Sequence, residues 1–209
     1  MARLVIPSSN LVVVGAWNPA IITPVWLRQQ FPDLLPGDQY QAEFLAGPAL
    51  AVRFTINGTQ IDPSNGRLVL SRSTDDEGNF VVLPALAEAI SVRLPHTPVA
   101  AVGFNFAFEA EPGIHLAVDR FLNEEEQNQF YAGLGLATHT GRQVTHSFAL
   151  PQCTLNLTYE YRAEATKLMF NFHYNTVNGE QVRQALAGFA EMLAEARRLA
   201  RAINPDQER

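Results

Sequence analysis

The sequence predicts an α+β fold with a mostly antiparallel sheet, helices packed on one face of the sheet, and a long C-terminal helix. Residues 154–162 and 167–174 alternate apolar and polar side chains, and a period of two is typical of half-buried strands. After Asn178-Gly179, apolar residues recur at the four-three spacing of one helix face as far as Ile203. A similar order of elements occurs in the first half of the chain, which indicates a fold with two related halves.

The first half begins with a continuous apolar run at residues 10–17, which predicts a strand buried on both faces. Thr23 and Pro24 predict the start of a helix that ends near Phe31, because a hydroxyl can cap the first turn and proline fits the first helical position. Further strands are predicted at residues 40–45, 50–56 and 67–71, with a turn at Asn57-Gly58 after the second of them.

A helix links the two halves, and the second half then repeats the order of elements. The linking helix is expected to begin near Pro84, since proline disrupts a helix interior, and to end before Pro95. Asn123 and Glu126 have the spacing of a capping box, which predicts a helix to about Ala132. The strands of this half are predicted at residues 99–111, 114–118 and 143–150, followed by the two strands and the helix described above.

The two halves, residues 1–97 and 98–204, both read as β-α-β-β-β-α, and residues 205–209 form a tail that is expected to fray. The parallel is closest at an offset of one hundred residues, where residues 67–71 stand against residues 167–171. The other correspondences are Val82 with Val182, Leu86 with Leu186, Val14-Gly15 with Val102-Gly103, and Val52, Phe54 and Ile56 with Leu155, Leu157 and Tyr159.

A true repeat predicts two halves related by a pseudo-twofold axis, with their sheets joined into one. The alternative is that the halves share this order by chance, as α+β chains can. The layout resembles the duplicated saddle of TATA-binding-protein-like folds, which implies a sheet with helices on one face and the other face free.

Composition and charge narrow the classes of partner. The 209-residue chain has a formal net charge of -6 and a pI of about 5.3, so nucleic acid ranks last among the partners. Cys153 is the sole cysteine, which excludes an internal disulfide and a cysteine-based zinc site. No apolar run approaches the roughly 20 residues that span a bilayer, and the N-terminus lacks the apolar core of a signal peptide. We therefore expect a cytoplasmic protein that does not associate with membranes.

One face of the predicted sheet in the second half carries a cluster of polar side chains: Asn105, Asn156, Glu160, Asn171 and His173. They occupy alternate positions of three strands, so they share a face if those strands are neighbours. The cluster predicts a site for a small polar ligand or a partner. The alternative is a solvated sheet face, which antiparallel sheets commonly have.

Aromatic residues bracket a proline-rich segment at residues 18–36. Trp17, Trp26 and Phe31 are candidate anchors for a protein interface, and the alternative is that they close the core of the chain itself. The C-terminal helix is rich in alanine, which permits close packing against its own sheet and leaves surface for self-association.

Motifs for catalysis and cofactor binding are absent from the sequence. It lacks a Gly-x-Ser-x-Gly nucleophile turn, a Gly-Lys-Ser/Thr phosphate loop, and metal-ligand spacing among its five histidines. We therefore expect no cofactor, no metal and no catalytic residue. We interpret the chain as a non-catalytic protein–protein interaction or assembly module, whose partner is another protein or a second copy of itself. The alternative is a small polar-ligand binding protein, or an enzyme, that uses the polar sheet face of the second half.

Overall fold

The computed structural model describes residues 2–45, 51–77, 80–110, 141–162 and 165–203. Within these ranges the chain forms a ten-stranded antiparallel sheet and four α-helices, the last of which is C-terminal. The predicted α+β fold with an antiparallel sheet is therefore confirmed. The predicted strand at residues 114–118, the predicted helix up to Ala132 and the tail at residues 205–209 lie outside the described residues.

The strands and helices are as follows. The strands are β1 (Arg3–Leu4), β2 (Asn10–Gly15), β3 (Tyr40–Leu45), β4 (Ala51–Ile56), β5 (Thr59–Pro63), β6 (Arg67–Arg72), β7 (Val99–Ala110), β8 (Gly141–Ala149), β9 (Thr154–Arg162) and β10 (Ala165–Asn175). The helices are α1 (Pro24–Gln30), α2 (Val82–Arg93), α3 (Gly179–Ala187) and α4 (Phe189–Ile203), and a short 3-10 helix covers Ile6–Ser8.

The sheet has the strand order β3-β4-β5-β6-β2-β7-β10-β9-β8, and β1 also pairs with β7. The pairing of β2 with β7 joins the first strand of each predicted half at the centre of the sheet. On each side of this pair the remaining strands follow as antiparallel neighbours, so both halves contribute to one continuous sheet.

Helix α1 begins as the sequence predicts. The Thr23 hydroxyl accepts a hydrogen bond from the Trp26 backbone N–H at 3.2 Å, and Pro24 occupies the first helical position. Helix α2 begins at Val82, two residues before the predicted start at Pro84. The earlier start is tolerated because Pro84 still lies in the first turn, where a backbone N–H has no partner within the helix.

The two-residue turn at Asn57-Gly58 leads directly into β5, a strand that the sequence interpretation missed. Asn57 has φ 46° and Gly58 has φ 71°, which are the left-handed angles of a tight hairpin turn. The buried Arg72 guanidinium donates to the Asn57 carbonyl at 3.1 Å and to the Thr59 hydroxyl at 2.6 Å. These two hydrogen bonds stabilise the turn. The turn-forming residues at the end of β5 concealed the strand. With β1 (Arg3–Leu4), which was also not predicted, the first half has two more strands than predicted.

The apolar stripe of the C-terminal segment is buried as predicted, but the segment forms two helices and not one. Asn178 caps α3, its side chain accepting from the Gln181 backbone N–H at 2.9 Å. Gly188 separates α3 from α4, and the Gly188 N–H turns back to the Ala185 carbonyl at 3.0 Å. Glycine has a low helix propensity, which makes this the position where a break costs least.

Phenylalanine side chains from both halves form the centre of the core. Phe189, the first residue of α4, lies 5.2 Å from Phe80, 5.2 Å from Phe104 and 5.4 Å from Phe106, measured between ring centroids. These rings pack edge to face, an arrangement that adds about 0.5–1.5 kcal/mol per pair beyond the burial of apolar area. Phe172 of β10 extends the cluster at 6.0 Å from Phe106.

The close approach of β2 to the start of β7 makes Gly15 a sensitive position. A β-carbon on Gly15 would lie 2.7 Å from the Pro98 carbonyl oxygen, whereas Gly66 has no atom within 4 Å of the same position. We expect Gly15→Ala to lower the free energy of unfolding by about 1–3 kcal/mol, and Gly66→Ala to change it by less than about 0.5 kcal/mol. Urea denaturation of both variants checks this, and equal effects would contradict it.

Candidate functional site

A row of neutral polar side chains crosses nine strands of the sheet in register. Its members, from one edge of the sheet to the other, are Gln41, Thr55, Gln60, Ser71, Asn10, Asn105, Asn171, Asn156 and Ser147. The two outermost side chains are exposed and the others are half-buried. Their neighbours along each central strand point the opposite way and are buried in the core, so this polar row lies on the face opposite the core.

Side-chain hydrogen bonds connect the polar row from Ser147 to Asn10, and all of them run in one direction. Ser147 Oγ donates to Asn156 Oδ1 at 2.7 Å, and Asn156 Nδ2 donates to Asn171 Oδ1 at 3.0 Å. Asn171 Nδ2 donates to Asn105 Oδ1, and Asn105 Nδ2 donates to Asn10 Oδ1, both at 2.7 Å. On the far side of the sheet centre, Ser71 Oγ donates to Gln60 Oε1 at 3.2 Å in the same direction.

The amide side chains of the polar row are hydrogen-bonding groups that do not titrate. A primary amide has two N–H donors and an oxygen with two lone pairs, and it does not titrate in water. Asn105, Asn156 and Asn171 each use one donor and one lone pair within the row. Each therefore keeps one donor and one lone pair, and neighbouring amides are spaced by the roughly 4.8 Å that separates strands.

Charged side chains flank the polar row in pairs of opposite sign. Arg53 lies 4.0 Å from Glu43 and 3.9 Å from Asp62, and Lys167 lies 3.4 Å from Glu109. Partly exposed pairs of this kind contribute little to stability. Their main consequence is that the charges described on this face are paired and do not form a concentrated positive patch of the kind that binds phosphate.

The structure brings together three of the five predicted site residues. Asn105, Asn156 and Asn171 form consecutive links of the polar row. His173 lies two residues beyond Asn171 on β10, and its Nε2 is 3.2 Å from Asn175 Oδ1.

Glu160 and His173 lie on opposite sides of the polar row. Glu160 faces Lys167, whereas Asn156 faces Asn171 four residues farther along β10. Glu160 therefore lies roughly 13 Å along the strand from Asn156 and the polar row. Glu160 and His173 therefore do not form a pair that could share a proton.

The polar row also contains residues that sequence reasoning missed, among them Asn10, Ser71, Gln60 and Ser147. In the sequence, each is a polar residue at a position that the alternation of its strand assigns to the polar face. Their alignment depends on the register between strands, and the central pairing of Asn10 with Asn105 joins segments ninety-five residues apart.

The three aromatic candidates for an interface lie in or against the core of the chain. Trp17 and Phe31 are buried at 2% and 6% exposure, and the Trp17 ring N–H donates to the Val13 carbonyl at 2.9 Å. Trp26 is partly buried and packs edge to face on Phe31, with 5.5 Å between ring centroids.

The environment of Cys153 favours the neutral form of its thiol. Burial raises the pKa of Cys153, and a hydrogen bond with the Tyr174 side chain offsets this rise only in part. Burial, together with the neighbouring Cys153, also raises the pKa of Tyr174. Both groups are therefore neutral at physiological pH, and a neutral thiol is a poor nucleophile.

In the described ranges no three His, Cys, Asp or Glu side chains come close enough together to hold a metal ion. Among the helices that the structure describes, none is both long and apolar enough to cross a membrane. No protein-family model matches this sequence, and a search of curated proteins finds no similar chain.

The hydrogen bond between Asn105 and Asn171 predicts an energetic coupling between these two residues. We expect the double-mutant cycle of Asn105→Ala and Asn171→Ala to give a coupling free energy of about 0.5–1.5 kcal/mol, because each single variant already removes the shared bond. Urea denaturation of the four proteins measures it.

The matched control for this cycle pairs Asn171→Ala with Asn178→Ala. Asn178 caps α3 and does not belong to the polar row. The free energies of this control pair should add to within about 0.5 kcal/mol. Additivity of the Asn105 and Asn171 substitutions as well would show that the row is not energetically connected.

Proposed function

We propose that this protein is a non-catalytic protein–protein interaction module, which binds a partner protein through the polar sheet face. The observation that carries the proposal is the polar row, a line of amide and hydroxyl groups that spans the sheet. Amide groups, which do not titrate and here retain free donors and acceptors, suit recognition. The face opposite the core is also the side left available by α2, α3 and α4, whose buried residues pack into that core.

A protein surface is the partner that best fits the charges on this face. In the flanking ion pairs each basic side chain lies beside an acidic one, and the chain as a whole is acidic. Both features disfavour binding of a polyphosphate. Peptide groups and amide side chains present the same donors and acceptors as the row, so they can complete its hydrogen bonds. We assign this function to the cytoplasm, since the chain has a single cysteine and no internal disulfide.

The proposal includes an internal duplication with a pseudo-twofold axis at the centre of the sheet. The register supports it: an offset of one hundred residues aligns β6 with β10 and Ser71 with Asn171, and strand pairing then aligns Asn10 with Asn105. The same reasoning aligns Gln60 with Asn156 and Thr55 with Ser147.

The duplication also accounts for the helices. Helix α2 follows β6 as α3 follows β10, and Leu86 and Leu186 are both buried. Under this proposal β5 is the counterpart of β9, in place of the β4 alignment that the sequence suggested, and the strand order supports this assignment. The proposal likewise aligns β2 with β7 through Asn10 and Asn105, in place of the alignment of Val14-Gly15 with Val102-Gly103 that the sequence suggested.

A small neutral polar ligand is the second candidate for this face. It is favoured by the three consecutive amides of Asn105, Asn171 and Asn156, each of which keeps a free donor and a free lone pair. Native mass spectrometry of the freshly purified protein tests it. A bound small molecule that is lost in Asn171→Leu would support this candidate over a protein partner.

Site-specific photo-crosslinking tests the main proposal. A benzophenone amino acid is placed at Ser147 or Thr158 on the polar face, and at Gln29, exposed on α1, as the matched control. In cells that produce the protein, we expect the same crosslinked protein from both polar-face positions and none from Gln29. Thr145→Lys, which adds a charge beside Thr158, should reduce the adduct at least several-fold.

Two outcomes would contradict this proposal. One is the lack of any adduct from the polar face, and the other is an equal yield from Gln29. Circular dichroism of the Thr145→Lys variant confirms that the fold is retained.

A further inference from the structure

The outer side of helix α2 carries exposed apolar side chains, although it faces away from the core. Val81 and Val92 are 58% and 62% exposed, and Ala85 between them is exposed as well. These residues recur at a spacing of about one or two helical turns, so they form one stripe along the helix. Exposed apolar side chains that are grouped on one side of a helix mark a candidate interaction site.

A cavity lies at each end of this stripe. Near the start of α2, a groove of about 250 Å³ is lined by Val81, Ala85 and, across it, Ala187 and Ala190 at the junction of α3 and α4. Near the end of α2, a cleft of about 530 Å³ lies between Val92, the segment at residues 95–98, and the start of α3. Val177, on the far wall of this cleft, is 84% exposed.

Residues of α2 that line the two cavities lie at a helical repeat from each other. Ala85 in the groove and Val92 in the cleft are seven residues apart on α2, which corresponds to roughly 10.5 Å along its axis. Two side chains seven residues apart on a partner helix have the same spacing. Such a helix, lying along α2, could place one apolar anchor in each cavity.

The negative charge of Glu88, which lies between Ala85 and Val92 on α2, defines the partner further. Glu88 lines the groove, is exposed, and forms no ion pair with any described residue. At the cleft, by contrast, Arg183 is already paired with Glu180. A partner helix would therefore gain from a basic residue between its two anchors.

We propose that the outer side of α2 docks an amphipathic helix of a partner protein, with two large apolar residues seven positions apart and a basic residue between them. A second copy of this chain fits less well. Its own helix with arginines near the end, α4, has Phe189, Leu193 and Ala196 buried in the core, so that apolar stripe is not free to dock. The docking surface is separate from the polar row and does not depend on the function proposed for it.

A designed peptide tests this docking surface. The probe is a stapled, fluorescein-labelled helix with leucines at positions i and i+7, lysines at i+3 and i+4, and glutamine and alanine elsewhere. The control peptide has the same composition, with the leucines moved to i and i+5 on different faces. Fluorescence anisotropy should show at least tenfold tighter binding of the probe than of the control.

Variants on both sides identify the contact. Val92→Arg should weaken binding of the probe at least tenfold, and Glu88→Lys at least threefold. A probe with glutamates in place of its lysines should recover binding to Glu88→Lys, which a merely structural effect would not produce. Thr145→Lys on the polar face should leave probe binding unchanged, so failure here is distinguishable from failure of the function proposed above.

Equal binding of the two peptides, or binding unaffected by Val92→Arg, would overturn the proposal. A third outcome would also overturn it: the wild-type protein does not bind the probe but self-associates, and Val92→Arg abolishes the self-association. The occupant of the docking surface would then be a second copy of the chain. Urea midpoints of the variants confirm that each is folded; should Val92→Arg unfold the protein, the charge reversal at Glu88 provides the deciding measurement.

Discussion

The antiparallel pairing of β2 with β7 is the constraint on which the rest of the structure depends. It places Asn10 opposite Asn105 and Leu11 opposite Phe104, which fixes the polar and the apolar side of the sheet centre together. A slip of one residue in this pairing would turn every side chain of one strand to the other face. The polar row and the phenylalanine core therefore depend on the same register.

The helices stabilise this register from the core side. Phe189 reaches the sheet at the junction of α3 and α4 and contacts rings that come from both halves of the chain. Gly188 lies at the break between these helices, and a β-carbon at this position would make a tight contact of 3.3 Å with the Ala185 carbonyl oxygen. Phe189, which follows this break directly, therefore connects the C-terminal segment to the phenylalanine core.

The elements that could be predicted from the sequence are those whose signals are local. Alternation located β9 and β10 and the phase of their faces, and the cap at Thr23 located the start of α1. β5 was missed because its turn residues carry the same signal as a loop, and the break at Gly188 was missed because the apolar stripe continues through it. Asn105, Asn156 and Asn171 were recognised as sharing a face, but the length of the row depends on strand pairing between residues distant in sequence.

The hydrogen bonds of the polar row give the sheet a polarity that its amino-acid composition does not have. Asn105 and Asn171 have counterparts in Asn10 and Ser71 across the sheet centre, so the groups on the two sides are alike. The donors nevertheless point toward β5 along the whole connected path, from Ser147 to Asn10 and again from Ser71 to Gln60. No single amide between Ser147 and Asn10 can reverse without placing two oxygens or two N–H groups opposite each other. A molecule bound across this face would therefore meet donors and acceptors in a different order when approached from β8 than from β5. Only one of its two orientations along the row would match that order.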